Sequence, residues 1–141
     1  MRERQALEDK ILAAGEGLAE FAIESWVEAS ELLEVLEPTG PSYFSFTLSN
    51  GDYVQCAGGN ERLVVEARLD ANQPNPKHFV FGVGELSGTP QCIECNVGPI
   101  YVDESQVLRI EDALLICREF IEKRGSLHTA YSVENVMERM Q

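Results

Sequence analysis

By residue type and spacing, the best-equipped stretch for chemistry is GTPQCIECNVGP, where Cys92 and Cys95 stand at the C-x-x-C spacing of zinc knuckles and dithiol redox sites. A structural zinc site needs four closed ligands, so a second pair must come from Cys56, Cys117, His78 and His128. No two of these are spaced as a ligand pair, and Cys117 falls on the apolar stripe of a helical run, where it acts as a small hydrophobe. A redox dithiol works from a helix N-terminus that stabilises the thiolate. Cys92 and Cys95 instead lie in a strand-like run with Glu94 between them, whose charge opposes thiolate formation. Strand alternation places Cys92 and Glu94 on one face and Ile93 and Cys95 on the other.

Other reactions lack their parts. No G-x-S-x-G elbow is present, and the two histidines sit where ordinary surface histidines do, His78 opening a strand beside Lys77 and His128 in a polar tail. Gly58-Gly59-Asn60 and Gly82-Val83-Gly84 lack the lysine and the strand-to-helix context of a phosphate loop. Carboxylates are so numerous that no pair stands out for acid–base work. The expectation is a protein without catalytic residues, metal or cofactor, hence not an enzyme.

Charge is the strongest global signal. The 141 residues carry 24 acidic and 11 basic side chains, a net charge of −13. Residues 1–40 are the most one-sided, with ten acidic residues against three basic. Such a field repels phosphate backbones and anionic membranes and speeds encounter with a basic protein. It argues against direct nucleic-acid or membrane binding. The opening MRERQALEDK has no apolar signal core behind its charges, and no run reaches the length of a membrane span, which predicts a cytoplasmic protein with reduced cysteines.

The elements that must carry these residues follow from periodicity. Leu7, Ile11 and Ala14 share a helical stripe, predicting a helix over 3–14 that ends at Gly15-Glu16-Gly17. Residues 19–24 read as a strand, and Val27–Glu37 as a helix opened by a Ser25/Glu28 capping box and closed by Pro38 and Gly40-Pro41. Helical continuation through 18–26 fits the apolar spacing as well. Asn50-Gly51 between alternating runs predicts a hairpin. ERLVVEARLD and HFVFGVGEL read as further strands, QCIECNVG as another, and PIYVD as a short one. Ile110, Ala113, Leu114, Cys117, Phe120 and Ile121 then recur at helical steps up to a Gly125 cap, and a weak tail carries a short helix from Val133. The predicted fold class is α+β. It comprises a mostly antiparallel sheet of about five strands, an N-terminal helical part and a long C-terminal helix packed on the sheet, in a single domain over 1–141.

VEASELLEVLEPTG followed by YFSFTLSNGDYVQC resembles the opening of the first-numbered Imm family of immunity proteins, which pairs a short Ser-, Glu- and Leu-rich helix with a strand–Gly–strand hairpin. YVDESQVLRIEDALLICREFIEKRGSL is similar to that family's closing pattern, with Val107, Ala113, Phe120 and Gly125 at its positions and Tyr131 nearest to its usual tryptophan. The likeness covers residues 19–131; the helix predicted over 1–16 has no counterpart in it. It implies a non-enzymatic inhibitor that covers the active site of a cognate bacterial toxin, often a deaminase or nuclease.

A toxin acting on nucleic acid is basic where its substrate binds, so the matching surface here is acidic. The candidate partner-binding residues are Asp52 at the hairpin, Glu61 and Asp70 flanking the central strand, and Glu85 and Glu94 beyond it. Trp26 is read as core. Two alternatives stay open: an acidic adaptor or small-ligand module using the sheet face, and a zinc- or thiol-dependent protein centred on Cys92 and Cys95.

Overall fold

The computed structural model describes residues 6–139. Among them, nine strands and two substantial helices follow in chain order: β1 (Ala6–Gly15), β2 (Leu18–Ser25), α1 (Trp26–Glu34), β3 (Tyr43–Thr47), β4 (Tyr53–Gly58), β5 (Leu63–Leu69), β6 (Lys77–Gly82), β7 (Pro90–Ile93), β8 (Ile100–Asp103), α2 (Ile110–Glu122), β9 (Ser132–Asn135) and a last turn of helix, α3 (Val136–Arg139). Seven strands form one antiparallel sheet in the order β2-β1-β3-β4-β5-β6-β9, and β7 and β8 form a separate hairpin.

This corrects the expected five-stranded sheet with an N-terminal helical part and a long C-terminal helix: seven strands pair, and α2, 13 residues long, is followed by strand β9 and the short α3. The stretch read as a helix over 3–14 is strand β1 from Ala6 onward; residues 3–5 lie outside the described residues. β1 sits inside the sheet, between β2 and β3. Ile11 and Ala13 point into the core, both fully buried, which is a period of two. Ala, Leu and Ile also satisfy a period near 3.6 over so short a run, and pairing with β3, some thirty residues away, decides between the two.

The glycines read as a helix cap instead make the β1–β2 turn, with Gly15 opposite Leu18 and Gly17 at φ +76°. Gly15 also lies across from Phe44, and a Cβ there would fall 2.4 Å from the Phe44 ring. The tail corrects the same picture: the residues from Val133 to Asn135, read as the start of a short helix, belong to edge strand β9 before α3 begins.

Both helices cover one face of the sheet. From α2, Ala113, Ile116, Cys117, Phe120 and Ile121 are buried at i, i+3, i+4, i+7 and i+8; from α1, Ala29 and Leu33 join them. They meet Phe44, Phe46, Val54, Cys56, Val65 and Phe81 from the sheet. Each large side chain buried there contributes about 1.5–3 kcal/mol. Trp26 packs half-buried at the edge of this core, with the Arg118 guanidinium 5.9 Å from its ring centroid. The anticipated capping box does not form: Ser25 caps α1 without a side-chain bond, and the Glu28 carboxylate accepts instead from the Glu24 N–H, one residue before the cap, at 2.7 Å.

The other face is covered at one end only. There the β7–β8 hairpin lays the fully buried Ile93 against Ala57, Val64 and Val80. Beyond the hairpin this face is polar and half-exposed. No helix among the described residues is long and apolar enough to cross a membrane.

Candidate functional site

Cys92 and Cys95 do not converge on a chemical centre. Cys92 is exposed, whereas Cys95 is half-buried, its Sγ 3.2 Å from the Ser42 hydroxyl. Ser42 belongs to a stitch between three segments: its N–H and hydroxyl donate to Glu16 at 2.8 and 2.6 Å, and its Oγ accepts from the Asn96 N–H at 3.0 Å. The Asn96 amide also donates to Glu16. These donors, Asn96 first, hold the Glu16 carboxyl below its ordinary range. Cys56 and Cys117 meet in the core with their sulfurs 3.4 Å apart, and this contact together with burial pushes the Cys56 thiol well up. Among the described residues, no group of three or more His, Cys, Asp or Glu side chains is placed to hold a metal ion.

The five acids chosen from the sequence do not share one surface. Asp52 is 8% exposed and clamps two turns together: its Oδ1 accepts from the Ala71 N–H at 3.1 Å, and its own N–H donates to Asn50 at 2.9 Å. Asp70 lies beside it with φ +56° and pairs with Lys77 at 3.5 Å. Both sit at the end of the sheet carrying the β3–β4 and β5–β6 turns. The other three are exposed toward the opposite end. Glu61 lies in the β4–β5 turn, Glu85 in the loop leaving β6, and Glu94 just after β7. Arg62 ties the first of these segments to the last, its guanidinium donating to the Cys92 carbonyl at 3.0 Å.

Next to this acidic end, an open cleft of about 550 Å³ lies between the β7–β8 hairpin and the β5–β6–β9 edge of the sheet. Its floor is built by register: Glu66, Val80 and Glu134 are directly opposite one another on three adjacent strands and therefore share a face. Ile100, Tyr101 and Val102 of β8 line it from the hairpin.

Each carboxylate of the floor accepts a hydrogen bond from a neighbouring polar side chain. Arg68 Nε, which can only donate, binds His78 Nδ1 at 3.2 Å. That ring nitrogen must accept, so the imidazole proton sits on Nε2 and is donated to Glu66 at 2.9 Å. On the far side the Gln106 amide donates to Glu134 at 2.9 Å, while its own carbonyl accepts from the Asp103 N–H at 2.9 Å, which fixes the amide's orientation.

Asp103 closes the rim. Its carboxylate accepts from the Ser105 hydroxyl and N–H and from the N–H groups of Ser87 and Gly88, at 2.7 to 2.9 Å. These bonds, the Ser105 hydroxyl foremost, hold it far below the ordinary carboxylate range and clasp the 83–89 loop to the end of β8.

Sequence reasoning passed over Glu66 and Glu134. Strand alternation along ERLVVEARLD puts Glu66 on the face of Val64, but Glu134 had no face while its strand was read as helix. The chain matches no family model, and no curated protein matches it significantly.

Proposed function

We propose that this protein is a non-catalytic binding protein, an immunity protein that recognises a basic toxin domain through an acidic surface and neutralises it in the cytosol. The observation that carries this reading is the exposure of Glu61, Glu85 and Glu94 toward one end of the fold, in a chain of net charge −13. Like charges gathered on one side raise the local potential, so a basic partner is drawn in and oriented during encounter. The resemblance of residues 19–131 to the Imm family supports the same reading. A nuclease or deaminase domain, basic where it holds nucleic acid, is the partner class that fits.

The kinetic test is association with a toxin domain, which this reading expects to be encoded beside the chain. Charge reversal at Glu61, Glu85 and Glu94 together is expected to slow association by about tenfold or more and to flatten its salt dependence. Unchanged association would show that this surface is not the one used. A second reading, a module for a small ligand, is favoured by the cleft above the β5–β6–β9 edge. Rescue of growth by this chain in cells that express a toxin domain is expected of the first reading and not of the second.

A further inference from the structure

The sheet ends on one side in β9, four residues long and running straight into α3, and on the other in β2, eight residues long. Among the described residues, no strand pairs with the outer side of β2. Hydrogen bonding fixes which groups it presents there. The Glu16 N–H donates to the Tyr43 carbonyl, so by alternation Leu12 and Ala14 of β1 also turn to β3, while Ile11 and Ala13 turn to β2. Ile11 and Ala13 stand opposite Ile23 and Phe21, which leaves the N–H and C=O of Ala22 pointing outward. The Glu24 N–H points outward too, and the Glu28 carboxylate takes it up at 2.7 Å. That bond blunts the edge next to α1 and leaves it open at Ala22.

The two faces of this edge differ in chemistry. Phe21, opposite the core residue Ala13, lies exposed on the helix-covered face. On that face an open groove of about 400 Å³ runs between the start of β2 and the end of α1. Leu18, Leu32, Val35 and Pro41 line it over the buried Phe44. Ala22 and Glu24 project from the opposite face, with exposed Glu20 next along the strand. From Glu16 to Glu34 the chain has six acidic side chains and no basic one, and the single cation of β1 and β2 is Lys10. Arg118, over Trp26 at the start of α1, is paired with Glu122.

We propose that the outer edge of β2 accepts an extended segment of the basic protein partner as an added antiparallel strand in which apolar and basic residues alternate. The main chain of the segment bonds the Ala22 N–H and C=O. Its apolar side chains lie over Phe21 and in the Leu18–Val35 groove, and its basic ones lie beside Glu20 and Glu24. A second copy of this chain is the competing occupant, and charge opposes it: each copy brings its own Glu20 and Glu24, and a net charge of −13, to the shared edge. The groove also continues the acidic end of the fold, because the amide of Asn96, just beyond Glu94, donates to Glu16 at its rim. The inference rests on the proposed function for the identity of the partner. Its test uses a synthetic strand and no toxin, so the two can fail separately.

The experiment is an amide-resonance titration of the full chain with an acetylated, amidated octapeptide that alternates valine and lysine. It is expected to shift the amides of Leu18, Ala22 and Val35 saturably in the millimolar range or below, and to slow hydrogen exchange at Ala22. In an antiparallel pair the lysine opposite Ala22 supplies the main-chain bonds, so N-methylation of the lysine amides is expected to weaken binding about tenfold. N-methylation of the valine amides, which face away, is expected to leave binding in place. A peptide of the same composition with its valines and lysines in two blocks, and one alternating valine with glutamate, are each expected to bind about tenfold more weakly. Val35→Ser, at an exposed position, is expected to weaken binding about threefold.

The inference is overturned if the alternating peptide gives no saturable shift, or shifts only amides around Glu61, Glu85 and Glu94. It is overturned equally if the lysine-methylated form binds at least as tightly as the valine-methylated one, or if the block or glutamate peptide matches the parent peptide. Concentration-dependent shifts at Ala22 without peptide would assign the edge to a second copy and overturn it as well.

Discussion

At the scale of single residues, carboxylates in this protein divide into those that hold turns and those left facing water. Asp52 is of the first kind. Replacing it by alanine removes the acceptor for the Ala71 N–H and is expected to lower stability by about 1–3 kcal/mol in urea unfolding, with the association rate toward a basic partner unchanged. Glu16 and Asp103 also hold turns, and both have folded-state pKa values below the ordinary 4.5 and 3.8. A depressed carboxyl stabilises the fold above its unfolded value, and that contribution is lost as the pH falls below it. Stability is therefore expected to decline below pH 4.5, and less steeply in Asp103→Asn.

Tyr131 behaves in the opposite sense. Burial, and then the bond its hydroxyl donates to Asp112 at 2.8 Å, raise its pKa from 10.0 to about 12. Stability owed to the protonated phenol is complete below pH 10 and is lost as the pH climbs toward 12. Thermal melts across that window are expected to fall more steeply for the parent than for Tyr131→Phe.

At the scale of elements, the core between the sheet and α2 is the most legible part of the chain. The i, i+3, i+4, i+7, i+8 stripe from Ala113 to Ile121 names both the helix and its buried face. Phe120→Ala, at a fully buried position, is expected to cost about 3–5 kcal/mol, read as a lower urea midpoint. The β3–β4 hairpin was equally readable, since Asn50-Gly51 permits little else between two alternating runs.

The N-terminus was not readable, for a physical reason. Ile11 and Ala13 are apolar at a spacing of two, while Leu7, Ile11 and Ala14 fit a helix, and pairing with β2 on one side and the distant Phe44–Thr47 segment on the other selects the strand. Gly15→Ala tests that pairing: its methyl would be driven into the Phe44 ring, and a loss of about 1–3 kcal/mol is expected. A helix ending at Gly15 would tolerate the change. The cleft was hidden for the same reason, because Glu134 becomes a neighbour of Val80 only when β9 joins the sheet edge.

At the scale of the whole molecule, a net charge of −13 acts through its distribution. Pairing of Asp70 with Lys77 and burial of Asp52 leave one end of the sheet with less open charge than the acid count implies. Glu61, Glu85 and Glu94 remain exposed toward the other end, beside a cleft floored by two more carboxylates. Association steered by this end should weaken with added salt, whereas a contact made by apolar surface would not.

The most direct measurement is growth of cells expressing the toxin domain that the proposed function expects beside this chain, together with the chain itself, either as the parent or with Glu61, Glu85 and Glu94 reversed to lysine. The account predicts that the parent restores growth and that the triple variant, folded to the same melting temperature, restores it poorly or not at all. Failure of the parent to rescue growth, or full rescue by the variant, would contradict it.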